Sequence, residues 1–473
     1  MKVRLAALAV ALSALAGCVS HGDIEPTLRQ IDPAAVGMTG SGAAGGDERF
    51  DWPSDHWWQT YGDATLDQLI ARALDGNPTL ATAAARLAWA GSLTEAAAAA
   101  GGPQLAASAE ATRQRYSENG SVPALLAGST RTSGSLLLNA SWALDFFGRH
   151  QAALDAAVGQ QRAAQADLQA ARQLLASQVA RIYFQLARAI EQRALTRLTL
   201  AQREQLLELV RSRVAAGLDT RVELRQAEGA LPETRQRIEQ FDEQIALARN
   251  ALAALTVQPP MALATLAPRL PKQAALAVPA SIPADLLGRR ADVVAARWRI
   301  EAALRGRDAA KADFYPNVNL AAFVGLSSLG FSRLLEGGSR VYGAGPALRL
   351  PVFDAGRLRA ELRGRTADMD AAVASYNSAV GEAVRDVADQ LASLRSVERQ
   401  AVEQRAAQAA AESAFELAVQ RYRAGLGNYL TVLAAESSVI AQRHNAAELK
   451  ARGVDLDVAL IHALGGGYAE AAR

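Results

Sequence analysis

Arg421-Tyr422-Arg423-Ala424-Gly425-Leu426 repeats, with substitutions, the earlier stretch Arg213-Val214-Ala215-Ala216-Gly217-Leu218. Each closes a long helical pattern that opens at a Gly-Arg pair, Gly148-Arg149 in one case and Gly356-Arg357 in the other. The offset is the same at both ends, since 425 − 217 = 208 and 356 − 148 = 208. At ~1.5 Å rise per residue each predicted helix spans roughly 100 Å, too long for a compact domain. A duplicated long-helix unit therefore sets the architecture.

Outward from the turns, the same order of elements recurs. A second helix returns after each turn, over about Thr220 to Leu255 and Asn428 to Leu464. In the second long helix, Val373, Tyr376, Val380, Val384, Val387, Leu391, Leu394 and Val397 follow a spacing close to the coiled-coil value of ~3.5. Leu175, Val179, Ile182 and Leu186 form a looser version in the first. Ahead of the first long helix, helical periodicity runs from Ala64 to Ala100, is broken at Asn77-Pro78 and stops at Gly101-Gly102-Pro103.

Between Gln104 and Leu144 the period becomes two. Leu136, Leu138, Ala140, Trp142 and Leu144 share one face, against Ser135, Leu137, Asn139, Ser141 and Ala143. Gln104 to Thr112 alternates more weakly, and Asn317 to Ala322 and Tyr342 to Leu350 alternate as well. Each pair predicts a β-hairpin with one apolar and one mostly polar face. Upstream of the strands the repeat offset is larger, 316 − 103 = 213 between the two prolines. A longer first hairpin loop accounts for the five extra residues, since insertions concentrate in loops.

The N-terminus has Lys2 and Arg4, an apolar run from Leu5 to Ala16, and then Gly17-Cys18. That run is shorter than the ~20 residues of a spanning helix and reads as a secretion signal. Leu15-Ala16-Gly17-Cys18 resembles a bacterial lipobox, so Cys18, the only cysteine, is the expected lipidation site. Val19 follows it, where an Asp would favour inner-membrane retention. The five histidines are scattered with no HxxxH spacing, which speaks against a metal centre. A net charge of +2 without a long basic run argues against nucleic acid. No GxxxxGK[ST] loop is present, and no convergent catalytic site or cofactor motif is found.

Four strands per chain cannot close a barrel of about eight or more, and open edges are a liability. Pooling strands among identical subunits removes the edges, and a one-sided apolar face suits a membrane barrel with a polar lumen. The long helices carry charge on most turns, from Arg363 through Asp389, and so belong in water. The expected class is thus mostly α with a membrane β-barrel. The expected segments are 1–17 signal, 18–55 lipidated tether, 56–258 first repeat, 259–283 proline-marked connector, 284–465 second repeat and 466–473 tail.

Four stretches in order carry a family resemblance. They are Trp57-Trp58-Gln59-Thr60-Tyr61-Gly62-Asp63, Ile282-Pro283-Ala284-Asp285-Leu286-Leu287-Gly288-Arg289-Arg290, Leu350-Pro351-Val352-Phe353-Asp354-Ala355-Gly356-Arg357 and Arg421 to Leu430. Together they resemble the TolC-like outer-membrane factors, in the NodT-type lipoprotein branch of efflux systems. The resemblance implies a homotrimer with a twelve-stranded outer-membrane barrel continuous with a twelve-helix periplasmic α-barrel. It also implies a periplasmic adaptor and an inner-membrane pump as partners, the pump of the resistance-nodulation-division type, with outer-membrane lipid around the barrel. The function implied is a passive efflux duct; a type I protein-secretion duct and a poreless coiled-coil scaffold are the alternatives.

By the same resemblance, Gly217, Leu218, Gly425 and Leu426 form periplasmic tips that touch the adaptor. Leu430 matches a leucine that narrows the tunnel, whereas the family's aspartate position is Ala434 and a frequent arginine position is Ser437. Leu430 with Thr431, Leu433 and Ala434 forms an apolar constriction, or Leu430 and Leu433 serve as coiled-coil core. Tyr422 matches a tethering tyrosine whose arginine-partner position is Gly427, so fewer charged tethers and an easily opened gate are expected. Trp57 and Trp58 are read as packing residues, and Asp386 and Asp389 as solvated surface.

Overall fold

The computed structural model describes residues 22–36, 52–271 and 286–469. Cys18, the signal segment, the Gly40 to Gly46 stretch and the connector beyond Pro271 lie outside the described residues. The helices are α1 (Ala64–Gly76), α2 (Pro78–Ala100), α3 (Arg149–Ala215), α4 (Arg221–Leu255), the single turn α5 (Leu286–Arg289), α6 (Ala291–Ala312), α7 (Arg357–Arg423) and α8 (Tyr429–Ala463). The strands are β1 (Gln104–Arg115), β2 (Thr130–Leu144), β3 (Asn317–Leu329) and β4 (Arg340–Arg349).

The repeat holds to the residue: α3 and α7 have 67 residues each, α4 and α8 have 35 each, and both pairs begin 208 apart (357 − 149 and 429 − 221). Among the described residues no helix is long and apolar enough to cross a membrane. The extra length of the first hairpin is not confined to its loop. From the first strand to the last, 41 residues (104–144) stand against 33 (317–349), and strand length contributes as well as the loop.

The described residues divide into two compact units, and neither coincides with a repeat. One holds 22–30, 86–165 and 295–377; the other holds 31–36, 52–85, 166–271, 286–294 and 378–469.

The first unit contains the sheet, antiparallel throughout in the order β1-β2-β3-β4. Its registers run without a bulge, so residues opposite one another share a face. One face carries Leu105, Ala107, Ala109 and Ala111 of β1 beside Leu136, Leu138, Ala140 and Trp142 of β2. Val318, Leu320, Ala322, Val324 and Leu326 of β3 and Tyr342, Ala344, Pro346 and Leu348 of β4 continue it. The opposite face carries Gln104, Ser108, Glu110, Ser135, Asn139, Ser141, Asn317 and Asn319, with Asn139 Nδ2 donating to Ser108 Oγ at 3.1 Å. The apolar face therefore extends over all four strands, while the opposite face is mostly polar on β1 and β2 and carries Ala321, Phe323, Val341 and Ala347 on β3 and β4.

The strands are also staggered. The row Gln104–Ser141–Ala321–Gly345 leaves β4 four residues longer at one end (349 − 345). At the other end Arg340 shares a row with Leu326, Leu136 and Ala109, six short of Arg115 (115 − 109). Trp142 Nε1 donates to Gly101 O at 3.0 Å, joining the strand base to the end of α2.

The N-terminal segment is bound here. Thr27 N and Leu28 N both donate to Asp370 Oδ1 at 3.0 Å, and Ile24 packs against Phe314, Leu358 and Leu362. The expected loose tether is thus pinned over this stretch.

The core of the second unit forms between α1, α3, α4 and α8. Asp63 caps α1, accepting from Thr65 N at 2.9 Å, and its other oxygen accepts from Tyr183 Oη at 2.6 Å. Trp57 and Trp58 are buried with Leu66, Ile70, Val179, Leu186, Leu252, Val458 and Ile461, which is the packing role expected of them. Leu263 and Leu270 join the same cluster, so this part of the connector is packed against the core. Asp386 corrects the surface reading: it lies 3.2 Å from the buried guanidinium of Arg290, which also holds Asp292 at 2.7 Å. A buried arginine needs those counter-charges.

Candidate functional site

The two turns share one backbone solution. After α3, Leu218 N donates to Arg213 O at 2.9 Å and Gly217 N to Val214 O at 3.0 Å. After α7, Leu426 N donates to Arg421 O at 2.8 Å and Gly425 N to Tyr422 O at 3.1 Å. This is the Schellman arrangement, which needs a left-handed residue; Gly217 has φ 73° and Gly425 has φ 74°. The following helices are capped differently. Thr220 forms a capping box with Glu223, whereas Asn428 accepts from Thr431 N at 3.0 Å. Leu218 and Leu426 are left 64% and 70% exposed, so each turn presents a leucine to solvent.

The side chains behind the turns are not alike. Tyr422 is buried and donates its hydroxyl to Asp219 Oδ2. Arg213 grips the same carboxylate through Nε at 2.9 Å, donates Nη1 to Tyr422 O at 3.0 Å and lies 4.4 Å over the Tyr422 ring. One arginine thus satisfies a carboxylate, a carbonyl and an aromatic face. Burial pushes the Asp219 carboxyl up, but the Arg213 and Tyr422 hydrogen bonds outweigh it and hold it below the ordinary aspartate value. Burial and the Asp219 bond push the Tyr422 hydroxyl well up, so it stays a donor.

The expected lack of charged partners around Tyr422 is not found. Gly427 leaves Tyr422 without an arginine from its own turn, and Arg213 of the other repeat supplies one. The signal was present in the offset: 427 − 208 = 219, so the position that is Gly427 in the second turn is Asp219 in the first.

A second inter-repeat tie was not foreseen. Glu436 lies in α8 with its side chain 3% exposed, paired with Arg203 Nε of α3 at 3.2 Å. Arg203 Nη1 also donates to Ala230 O at 3.0 Å and Thr234 Oγ1 at 2.8 Å. Burial raises the Glu436 carboxyl, and Arg203 offsets this only in part. Burial, then the Glu436 charge, push the neighbouring Tyr429 hydroxyl up to about 12. The sequence clue is that Glu436 is the only charged residue between Tyr429 and Ala441.

The expected constriction residues separate. Leu430 is 56% exposed and Ala434, one turn on, is exposed as well. Leu433 packs on the cluster of Leu207, Val210, Tyr422 and Val432, the core reading. Thr431 is exposed, and its hydroxyl donates to Asn428 Oδ1 at 2.7 Å, which engages it in the cap. Glu436 points away from Leu430 and Ala434 into the helix contacts, as its position along the helix requires. Among the described residues no group of three or more His, Cys, Asp or Glu is placed to hold a metal ion.

A model of the outer membrane efflux protein family matches residues 69–257 and 282–466. The fusaric acid resistance protein FusA of Burkholderia cepacia is 38% identical over 365 residues, covering 76% of this chain and 68% of its own length. The multidrug resistance outer membrane protein MdtQ of Escherichia coli is 33% identical over 462 residues, 96% of each chain. Among solved structures, the outer membrane protein VceC of Vibrio cholerae superposes with a TM-score of 0.82 at 36% identity, over 88% of this chain and 100% of that one.

Proposed function

Because this chain belongs to the outer membrane efflux protein family, we propose that it is the passive outer-membrane duct of a tripartite efflux system. Its family is one of channels, not enzymes. Three copies pool four strands each into a barrel of twelve, with the apolar face to lipid and the Ser/Asn/Gln face to a wet lumen. The helices of the three copies line a periplasmic tunnel, and lipid on Cys18 adds an anchor.

The apolar face running unbroken across four strands carries this reading. β1 and β4 each pair on one side alone among the described residues, leaving two long edges for neighbouring copies. The stagger supports closure: about five rows over three strand spacings is a tilt on the order of 45–50°, close to that of membrane barrels.

The turns at Gly217 and Gly425 are the periplasmic tips, where Leu218 and Leu426 meet a periplasmic adaptor; the pump behind it is of the resistance-nodulation-division type. Fusaric acid and multidrug resistance are the attributes named for the relatives; to this chain we carry over small-molecule export only. The gate lies at the second tip. Leu430 and Ala434 face the tunnel, and the Arg213–Asp219–Tyr422 knot holds the tip closed.

Heat-modifiable trimers in outer-membrane fractions, with single-channel conductance in planar bilayers, are the expected result. A soluble helical rod after delipidation would instead establish the scaffold reading. Ala434→Asp places a carboxylate in the constriction and is expected to lower conductance. Equal or greater conductance would remove Ala434 from the gate.

A further inference from the structure

The apolar face of the sheet ends differently at its two margins. At the base it is uncharged, with Leu105, Leu144, Val318 and Leu348 as its last large residues. At the loop margin it ends in arginine: Arg113 and Arg115 close β1, and Arg340 opens β4. Register places all three on the apolar side, since Arg113 and Arg115 continue the row of Leu105 to Ala111 and Arg340 stands opposite Leu326. At the strand tilt given by the stagger, Arg340 comes level with Arg113 to within roughly a few Å. Thr130 and Thr132 stand opposite Arg115 and Arg113.

All three arginines are exposed. Arg115 lies 3.5 Å from Glu118, while Arg113 and Arg340 have no ion pair among the described residues. An arginine facing lipid is costly at the bilayer midplane and far less so at the interface. Its planar fork matches a phosphate with two parallel hydrogen bonds.

We propose that Arg113, Arg115 and Arg340 form an outer girdle that docks the phosphorylated headgroups of outer-leaflet glycolipid. The proposal rests on the duct reading, which puts the hairpin loops outside the cell and this face in lipid. Three copies contribute three arginines each, a ring of nine. The uncharged base margin is its counterpart in the inner leaflet, so the sheet is polarised to match a membrane with phosphate-rich sugar lipid on one side. Such a ring also fixes the height of the barrel against the leaflet.

The test uses the full-length protein in phosphatidylethanolamine nanodiscs, with bisphosphorylated lipid A, its dephosphorylated form or inorganic phosphate added. Bound lipid is counted by native mass spectrometry and the apparent unfolding temperature is followed. Bisphosphorylated lipid A should bind the wild type and raise that temperature by several degrees, with the other two additives inert. The Arg113→Ser/Arg115→Ser/Arg340→Ser variant should lose the effect, at about fivefold in affinity per arginine. Arg131→Ser, on the opposite face, should behave as wild type.

Equal binding of the dephosphorylated lipid, an equal response to inorganic phosphate, or full retention by the triple variant would each overturn the girdle. Should the triple variant not fold, Arg113→Ser and Arg340→Ser singly carry the same expectation at about fivefold each. Conductance in planar bilayers separates the two levels. A conducting triple variant that retains lipid A leaves the duct standing without the girdle, whereas a wild type that never conducts removes the duct itself.

Discussion

The turns at Gly217 and Gly425 have the same backbone and share an arginine, Arg213 and Arg421, yet several of the charged and aromatic positions around them differ. Val214 stands where Tyr422 stands in the second copy, Asp219 where Gly427 stands, and Arg203 where Ala411 stands, each pair 208 apart. Two arginines of the first repeat make the buried ties to the second. Arg203 and Arg213 of α3 reach Glu436 of α8 and Tyr422 of α7. Their repeat-equivalents are separated from such partners: Glu228, at the position of Glu436, pairs instead with Arg225 on its own helix. The repeat gives both turns one backbone, and the side chains behind them differ. The first repeat supplies Arg203, Arg213 and Asp219, and the second supplies Glu436 and Tyr422, which they hold.

The largest test of that asymmetry is Arg203→Ala. It leaves the Glu436 carboxylate buried without a counter-charge, which costs about 3–5 kcal/mol. Hydrogen exchange over 429–439 should accelerate accordingly, and adding Glu436→Leu should restore most of the protection. Failure of that rescue would mean Arg203 acts through packing. Next comes Asp219→Ala, which frees Arg213 and the Tyr422 hydroxyl together. A loss of about 2 kcal/mol at the tip corresponds to roughly a thirtyfold rise in the open state. Single-channel open probability reads this directly, and Gly427→Asp in the other turn should change it by less than about twofold, having no Tyr422 equivalent to bind.

The two carboxyls also respond to acid in opposite senses. Asp219 is held below its ordinary value of ~3.9, so its tie is fully present above that pH and is lost only as pH falls through the depressed value. Glu436 is raised above its ordinary ~4.3, so the fold takes up its proton first. Its contribution to stability therefore rises as pH falls through the raised value. Thermal unfolding between neutrality and about pH 4.3 should show that rise in the wild type and a flatter profile in Glu436→Gln. An unchanged profile would remove Glu436 as its source. The smallest effect is expected where the turns agree. A Cβ built on Gly217 or Gly425 meets nothing within 4 Å, so alanine at either costs only the left-handed backbone, about 1 kcal/mol. Unequal costs would show that the turns are not the equivalent pair their hydrogen bonds suggest.

Much of the fold was legible because it rests on periodicity. The turn Ala-Gly-Leu and the breaks at Asn77-Pro78 and Gly101-Pro103 are local signals, and the helix boundaries fell where these residues indicated, whereas the alternation from Ser135 to Leu144 marked only the latter part of β2, which begins at Thr130. Side chains that pair across hundreds of residues were not legible. Asp386 looked like solvent surface until Arg290, 96 residues earlier, was found against it. The arginine-partner position for Tyr422 in its own turn is Gly427, and Arg213 arrives instead from 209 residues away. Helical geometry turns Glu436 away from Leu430 and Ala434, but what it turns toward depends on α3.

The chain's own order of residues was enough to specify the duplication, the long helices, the turns and the two-faced strands, because these follow from backbone preferences and burial period within a few residues. Sheet order, the stagger of β4 against β1, and the choice of partner for each buried charge came only with the folded chain. Those depend on which helices and strands are brought side by side, and no local pattern encodes that. The Arg213–Asp219–Tyr422 knot joins both kinds of information: the repeat offset says which positions correspond, and packing decides that they bind each other rather than their own copies.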